Sequence, residues 1–374
     1  MSAAEVPFVD FKAHVAALRG ELDGAVARVL DSGFFILGPE GEAFERELAQ
    51  ALGARHAVGV GNGTDAIHLA LRVRGIGPGD EVVTTSISAA FSALAILQAG
   101  ATPVFVDVDP RTLNIDPAAA ARAVTPRTKA LLPVHLYGHP ADMDPLLALA
   151  REKELVLVED ACQAHGALYR GRPVGTLEGE RGLGALSFYP TKNLGALGDG
   201  GAILANDAET AARLRQLRNG GQRDRYHHES FGVNTRLDEM QAALLRVGLA
   251  HLQAWNERRR TLAAFYTREL AGSGVEPLVE QEYARSVAHL YVVRHPKRDA
   301  LAAALKRRGV GTLIHFPVPL HLQPAFAALG GKRGDLPVVE RASSEILSLR
   351  LYPELTDAAA ERVVAEVRAA AREC

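Results

Sequence analysis

Lys192 stands in the segment SFYPTKNLGALGDGG, residues 187–201, among turn-forming residues and just before a run of glycines. Three roles are open to it: a solvated surface charge, a clamp on phosphate, or a nucleophile. A P-loop places GxxxxGK before Ser or Thr, whereas Lys192 precedes Asn193 and its glycines lie on the wrong side. A Schiff-base nucleophile fits better. Such a lysine must be held on a rigid turn, and apolar surroundings lower the pKa of its amine.

A pair of carboxylates follows an apolar run in LVLVEDACQAHG, residues 155–166. Glu159 and Asp160 stand where a buried strand would end, and a carboxylate there is costly unless it meets a cation or several donors. The local sequence leaves two roles open for this pair, a helix N-cap and a functional acid. As a functional group, Asp160 would keep a pyridine nitrogen protonated, which an electron-sink cofactor requires.

An anion site is predicted in VGVGNGTDAIHLAL, residues 58–71, which has the pattern of a strand, a glycine turn and a helix beginning at Thr64 or Asp65. Free N–H groups and the helix dipole favour a phosphate there, with Thr64 and Ser187 as further donors. The dinucleotide fingerprint fails, because Thr64 replaces the third glycine and no acid ends the next strand, EVVTTS. The alternative, a tight turn that binds no ligand, also remains open for this segment.

No metal site is predicted from the histidines or the paired aspartates. His135 and His139 flank a loop, HLYGHP, rather than one helix face, and no HExxH is present. The motif FVDVDP, residues 105–110, resembles a metal-binding DxD, but no further ligand spacing supports it. We interpret it as a solvated strand end.

The overall charge gives no case for nucleic acid or an anionic membrane as partner, since 42 Lys and Arg balance 44 Asp and Glu. The N-terminus lacks the pattern of a secretory signal, and no window of 18 apolar residues is present. We therefore expect a soluble cytoplasmic protein. Two cysteines, Cys162 and Cys374, are too few for a disulfide framework.

Short apolar runs bounded by turn residues recur along the first half of the chain, and helical patterns lie between many of them. Most runs lack polar alternation, which favours strands buried on both faces. The sequence therefore predicts an α/β fold with a mostly parallel, doubly wound sheet and ligands beyond the carboxyl ends of its strands. The runs are residues 57–60, 81–85, 103–107, 130–135, 155–159, 185–189 and 201–205.

Two helices between these runs have predicted ends. Residues 88–98 form one, capped by Ser88 and stopped by Gly100, and residues 142–153 form another, capped by Asp142. From Leu237 a long helical stretch leads into a smaller α+β unit. At 374 residues, two domains are expected, which we place at 1–255 and 256–374.

Six segments, taken together, resemble the DegT/DnrJ/EryC1/StrS family of sugar aminotransferases, which use pyridoxal phosphate on the type I aminotransferase fold. Each motif alone is weak, but the six occur in register over nearly the whole chain. They are GTDAIHLAL, VEDACQAHGA, SFYPTKNLGALGDGG, FGVNTRLDEMQAALL, IHFPVPLHLQPAF and LPVVERASSEILSL.

The resemblance implies a role for each residue around the cofactor. Lys192 would bind it covalently and then move a proton, Asp160 would pair with its ring nitrogen, and Gln163 would hydrogen-bond its ring hydroxyl. Its phosphate would be held by the Gly63–Thr64 backbone, the Thr64 hydroxyl and Ser187.

The resemblance also implies a partner subunit and a reaction cycle. Asn234 matches a residue that reaches the phosphate from the neighbouring subunit, so a homodimer would complete the active site. Members of the family take the amine from L-glutamate in a ping-pong cycle through pyridoxamine phosphate. They pass it to a keto group on a nucleotide-linked sugar.

The chain departs from the family at two places. Relatives place an aromatic ring on the cofactor in a segment like FTFVAT, where this chain has ISAAFS, with Ala89 at that position and Phe91 two residues later. Either Phe91 substitutes or stacking is weaker. His315–Phe316 stands where relatives have His-Tyr, so one hydroxyl is missing.

The order of glycines after Lys192 and the motif NTRLDE are most similar to members that aminate C3 of a dTDP-linked 3-keto-6-deoxyhexose. Tyr189, Arg225 and His315 match positions that approach the sugar or its diphosphate, although a core tyrosine and solvated basic residues are equally open. Two alternatives remain: a keto-cyclitol aminotransferase, and a regulator that binds pyridoxal phosphate without turnover.

Overall fold

Helices and strands alternate along residues 7–374, the part of the chain that the computed structural model describes. The α-helices are α1 Phe11–Ser32, α2 Pro39–Ala51, α3 Gly63–Val73, α4 Ala90–Gln98, α5 Pro117–Ala123, α6 Met143–Glu152, α7 Ala208–Arg218, α8 Glu239–Glu269, α9 Arg298–Arg307, α10 Pro337–Glu345 and α11 Asp357–Glu373. The strands are β1 His56–Val60, β2 Glu81–Thr85, β3 Thr102–Val106, β4 Thr128–Leu132, β5 Val156–Asp160, β6 Leu168–Tyr169, β7 Arg172–Pro173, β8 Leu183–Ser187, β9 Gly201–Ala205, β10 Gln222–Asp224, β11 His227–His228, β12 Glu276–Pro277, β13 Ala284–Arg285, β14 Tyr291–Arg294 and β15 Ile346–Leu349.

A seven-stranded sheet with the order β1-β9-β8-β5-β4-β2-β3 forms the centre of the molecule. Its strands are the seven apolar runs predicted from the sequence. Strand β9 runs antiparallel to β1 and β8, and the other neighbours are parallel. The predicted α/β class with a mostly parallel sheet is confirmed.

Both faces of this sheet are covered by helices, which explains why its strands lack polar alternation. One apolar core joins the sheet to α2, α6 and the first half of α8, through residues such as Phe44 and Leu146. A second core on the opposite face joins it to α3, α4 and α7, through residues such as Leu69 and Leu214.

The helix cap predicted at Ser88 is wrong, whereas Asp142 occupies the N-cap position predicted for it. Helix α4 starts at Ala90, with Ala89 as N-cap and no side-chain cap, because the Ser88 hydroxyl contacts the Ser92 hydroxyl at 3.2 Å instead. Asp142 is the N-cap residue of α6 but does not cap it with its side chain. Its carboxylate accepts a hydrogen bond from the Tyr169 hydroxyl at 2.8 Å.

The interpretation of the FVDVDP motif as a solvated strand end is wrong. Asp107 accepts hydrogen bonds from the backbone N–H groups of Val338 at 3.0 Å and Val339 at 2.9 Å. These groups lie in the first turn of α10, where N–H groups lack intrahelical acceptors. Asp107 therefore fixes α10 to the edge of the main sheet.

The C-terminal part of the chain builds its own core around a three-stranded sheet, β12-β14-β15, with α9, α11 and the end of α8. Helix α8 runs through residues 255 and 256, so the predicted domain boundary falls inside a continuous helix. The division at this point stays a prediction. Within residues 7–374, no helix combines the length and apolar composition needed to cross a bilayer.

Candidate active site

A cavity of about 740 Å³ lies beyond the carboxyl ends of β1, β5 and β8. It brings together residues that are far apart in the sequence, as expected for a doubly wound sheet. Most of the residues singled out from the sequence line it: Gly63, Thr64, Phe91, Asp160, Gln163, Ser187, Tyr189, Lys192 and His315. Asn234 and Arg225 are not among its lining residues.

Lys192 lies in the loop between β8 and β9, and its backbone N–H donates to the Tyr189 carbonyl at 2.8 Å. Its side chain is partly buried, and within residues 7–374 its amine makes no hydrogen bond or ion pair. Burial lowers the pKa of this amine, while the acidic groups of Cys162 and Asp160 oppose the shift. A larger neutral fraction makes the amine a better nucleophile.

Asp160 ends β5 and is only 4% exposed. Its carboxylate accepts hydrogen bonds from the Ser92 hydroxyl at 2.7 Å and from the Cys162 N–H at 3.1 Å. No cationic side chain of the described residues lies within 4 Å of it. Turns rather than a helix follow β5, so the N-cap alternative is wrong. A buried carboxylate of this kind favours a cationic ligand atom.

Glu159, the other acid of the pair, points away from the cavity and is fully buried. It accepts hydrogen bonds from the N–H groups of Gly175 and Leu177, each at 2.7 Å, and its other contact is His135 Nε2 at 3.0 Å. Glu159 therefore holds the segment that follows β7 against the sheet. Adjacent strand residues face opposite sides, which separates the structural acid from the one in the cavity.

The start of α3, where the sequence predicts an anion site, presents free N–H groups to the cavity. The helix starts one residue before Thr64. Asn62 is the N-cap residue, and its side chain accepts from the Asp65 N–H at 2.9 Å. The N–H groups of Gly63 and Thr64 have no acceptor within the described residues. A Cβ on Gly63 would lie 2.7 Å from the Ser187 Cβ, so glycine lets the helix start pack directly against Ser187.

Gln163 is oriented by a loop whose role the sequence did not reveal. Its Oε1 accepts a hydrogen bond from the Tyr137 N–H at 2.7 Å, with Tyr137 in the left-handed region at φ 58°. Because the oxygen faces a donor, the amide nitrogen remains available to donate to a ligand in the cavity. Within residues 7–374, no group of three or more His, Cys, Asp or Glu side chains is arranged to hold a metal ion.

A polar network beside Lys192 was missed by the sequence analysis. The Asn193 amide donates to Asn256 Oδ1 at 2.8 Å and to the Val287 carbonyl at 3.0 Å, and its oxygen lies 3.0 Å from His289 Nδ1. Burial holds the pKa of His289 well below its ordinary value, so this imidazole is neutral. These partners come from α8 and the C-terminal part of the chain, and no local sequence pattern predicts these contacts.

The residues predicted to approach the substrate lie in two different places. Tyr189 is exposed at the cavity wall, and His315 Nδ1 lies 2.8 Å from the Ser348 hydroxyl. Phe91, predicted instead as a possible stacking ring for the cofactor, is also exposed at this wall. Burial, together with the charge of Lys192, lowers the pKa of His315 to about 4. Arg225 instead lies on the β10–β11 hairpin, with its guanidinium 5.6 Å from the centre of the Tyr226 ring. Asn234 is exposed outside the cavity.

An unpaired amine, a buried carboxylate and free helix N–H groups in one cavity of this fold are the groups that an enzyme of the pyridoxal-phosphate class requires. Comparison with known proteins agrees. The sequence profile of the DegT/DnrJ/EryC1/StrS aminotransferase family matches residues 17–368. The chain belongs to this family.

Two relatives and one crystal structure illustrate the similarity. The chain is 52% identical to the dTDP-3-amino-3,4,6-trideoxy-alpha-D-glucose transaminase of Streptomyces venezuelae, over 97% of this chain and 95% of that protein. It is 48% identical to a pleiotropic regulatory protein of Geobacillus stearothermophilus, over 97% of both chains. The crystal structure of S. venezuelae DesV in complex with a ketimine intermediate superposes with a TM-score of 0.96, at 52% identity, over 99% of both chains.

Proposed function

We propose that this aminotransferase moves an amino group from L-glutamate to a keto group, at C3, of a nucleotide-linked deoxysugar. The observation that carries the proposal is the meeting of Lys192 and Asp160 on one cavity wall, each without an ion-pair partner among the described residues. An amine and an acid placed in this way match the two groups that a pyridine aldehyde cofactor needs.

The residues of the cavity fit pyridoxal phosphate, which when bound supplies a carbonyl for an amine and a ring that accepts electrons. The N–H groups of Gly63 and Thr64 and the Ser187 hydroxyl would bind its phosphate. Asp160 would hold the proton on its ring nitrogen, and the Gln163 amide would donate to its ring hydroxyl. The close packing of Gly63 on Ser187 gathers the phosphate donors.

Lys192 performs two tasks in this proposal. As a neutral amine it binds the cofactor, which the lowered pKa of its buried side chain favours. With the cofactor and a substrate bound, Lys192 Nζ would be the base that accepts a proton from the substrate and the acid that donates it to the cofactor. The Asn193–His289–Asn256 network fixes the chain next to Lys192 and so helps to hold the amine in place.

Borohydride trapping tests the role of Lys192. Protein purified with pyridoxal phosphate should show a visible absorption band that borohydride removes, leaving a pyridoxyl group on the peptide that contains Lys192. Lys192→Ala should lack both the band and turnover. A Lys192→Ala protein that still converted L-glutamate to 2-oxoglutarate at the wild-type rate would refute the proposal.

The substrate is proposed from the relative in S. venezuelae, whose name describes amination at C3 of a dTDP-linked trideoxyglucose. The cavity volume of about 740 Å³ would leave room for a sugar beside the cofactor. The pyridoxamine form of the protein should react fastest with dTDP-linked 3-keto sugars in a panel that includes UDP-linked, 4-keto and keto-cyclitol acceptors. Preference for a keto-cyclitol would favour the other acceptor class.

A regulator that binds the cofactor without turnover is the second candidate, because one relative at 48% identity is named a pleiotropic regulatory protein. The presence of Lys192 and Asp160 in one cavity favours an enzyme. L-glutamate should bleach the visible band of the loaded wild-type protein within seconds to minutes. A band that survives saturating L-glutamate would favour the regulator.

A cytoplasmic homodimer completes the proposal. Asn234 is exposed and lies outside the cavity of its own chain, as expected if it serves the site of a neighbouring subunit. The nearby Phe231 is 91% exposed, and Phe34 and Phe35 form a second exposed aromatic group. Large apolar side chains in such positions favour burial against another chain.

A further inference from the structure

Two lysine or arginine side chains line the cavity within the described residues, Lys192 and Arg259. In the function proposed above, the amine of Lys192 is used by the cofactor and the phosphate of the cofactor is bound by N–H groups. Both substrates of the reaction are anions. Arg259 is therefore the cation of this chain that is left to bind one of them.

Arg259 is incompletely paired although it is only 7% exposed. Its Nη1 donates to the Leu351 carbonyl at 2.8 Å and to the His289 carbonyl at 3.4 Å. Its Nε is buried without an acceptor, and Nη2 has none among residues 7–374. A buried guanidinium with unsatisfied donors costs free energy, which a ligand with two acceptor oxygens would recover.

The position of Arg259 relates it to the reacting atoms. The carbonyl that it contacts belongs to His289, and the imidazole of His289 contacts Asn193, the residue next to Lys192. Two residue contacts therefore separate Arg259 from the neighbour of the reactive amine. The charges of both Lys192 and Arg259 act on the imidazole of His289, which lies between the two parts of the site.

The acidic side chains near Arg259 bond to other residues and do not form an ion pair with it. Glu354 acts on it electrostatically, but its Oε1 lies 2.6 Å from His14 Nδ1, and it makes no ion pair with Arg259 within 4 Å. Asp10 caps α1 by accepting from the Ala13 N–H at 2.9 Å. Burial lowers the pKa of Arg259 to about 10, so the guanidinium stays cationic at neutral pH.

We propose that Arg259 binds the α-carboxylate of the amino donor, and this inference rests on the proposed function. An α-carboxylate is attached directly to the carbon that reacts, which suits an anchor beside the Lys192–Asn193 segment. Its two oxygens match the two free nitrogens of the guanidinium. The bulky diphosphate of a nucleotide sugar is a poorer fit to a side chain that is almost fully buried.

The test compares half-reactions of the loaded wild-type, Arg259→Met and Arg259→Lys proteins. The donors are L-glutamate, L-2-aminopentanoate, which lacks the side-chain carboxylate, and 4-aminobutanoate, which lacks the α-carboxylate. Arg259→Met should lose at least about 30-fold in kcat/KM with the first two donors, as expected when one partner of a buried charge pair is removed. It should match the wild type with 4-aminobutanoate and stay within a few-fold in the half-reaction with a dTDP-linked 3-keto sugar, and Arg259→Lys should recover part of the loss.

Equal losses in both half-reactions, or an unchanged kcat/KM for L-glutamate, would overturn the inference. If Arg259→Met does not fold or does not bind the cofactor, Arg259→Lys and the wild-type donor series decide the question. A wild-type protein that uses 4-aminobutanoate as well as L-glutamate would also overturn it. A loaded wild-type protein that no amino donor bleaches would refute the proposed function itself, so the two failures are distinguishable.

Discussion

At the scale of single residues, the site depends on how burial changes the protonation of a few side chains. Lys192 is partly buried in a wall that holds one buried carboxylate, and burial lowers the pKa of its amine against the opposing charges. The same burial keeps His289 and His315 neutral at physiological pH. The amine proposed as the nucleophile therefore receives no extra positive charge from these two imidazoles.

The lowered pKa of Lys192 predicts a pH dependence of stability in the cofactor-free protein. Between the lowered pKa and the ordinary value of 10.5, the unfolded chain binds more protons at this site than the folded chain does. The free energy of unfolding should therefore rise with pH in this window, relative to Lys192→Met. Urea unfolding of both proteins from about pH 7 to about pH 10 measures the difference. Parallel pH profiles for the two proteins would contradict the prediction.

At the scale of elements, the start of α3 and the end of β8 act as one unit. The backbone of Gly63 approaches Ser187 so closely that an added Cβ would meet Ser187 Cβ at 2.7 Å and Cys162 Sγ at 3.0 Å. Ser187 Cβ is fixed by the backbone, so this contact cannot be relieved by rotation of a side chain. This packing places the free N–H groups of α3 next to the Ser187 hydroxyl.

Gly63→Ala should destabilise the protein by about 1–3 kcal/mol, as overpacking does, and should weaken binding of pyridoxal phosphate. Gly24→Ala is the matched control, because Gly24 lies in α1 with no atom within 4 Å of the added Cβ. That control should keep the cofactor affinity and gain up to about 1 kcal/mol. Urea unfolding and cofactor titration report both effects. Equal behaviour of the two variants would refute the proposed packing.

At the scale of the whole molecule, a buried imidazole makes the free energy of unfolding depend on pH. His165 is fully buried against the Phe188 ring, and burial lowers its pKa to about 3. The unfolded chain binds a proton at this site below about pH 6.5, whereas the folded chain does not. The stability contributed by neutral His165 is therefore present above this pH and is lost as the pH falls toward 3.

His165→Phe should remove this dependence. Relative to the variant, the wild type should lose up to about 1.4 kcal/mol of unfolding free energy per pH unit below pH 6.5. Between pH 7 and pH 8, where both states of the wild type hold a neutral imidazole, the difference between the proteins should stay constant. Denaturant titrations across both ranges check it, and a constant difference below pH 6.5 would contradict it.

The proposed homodimer, with active sites shared between its subunits, predicts complementation between inactive subunits. In a mixed dimer of Lys192→Ala and Asn234→Asp chains, one site carries both changes and the other carries neither. Co-expression at equal levels should therefore restore up to about a quarter of the wild-type activity, since half of the dimers are mixed and each has one intact site. If Asn234 serves its own subunit, both sites are defective and no activity returns.

Much of the fold was predictable because its strands are buried on both faces and are bounded by turns. All seven strands of the main sheet were found from apolar runs such as 81–85 and 201–205, with ends within three residues of those observed. Helix caps were less predictable. Ser88 and Asp142 have the right type for a cap, but their hydroxyl and carboxylate bond to Ser92 and Tyr169, which local sequence does not place there.

The sequence by itself determined the class of the sheet, the family and which lysine is proposed as the nucleophile, because these depend on local patterns and on motifs in register. Only the tertiary structure decided which of two adjacent acids faces the cavity and which fixes a loop, since strand geometry turns Asp160 and Glu159 to opposite sides. It also decided that Arg259, an ordinary residue of a charged helix in the sequence, lines the cavity with unsatisfied donors. Long-range packing sets such environments, and no local spacing encodes them.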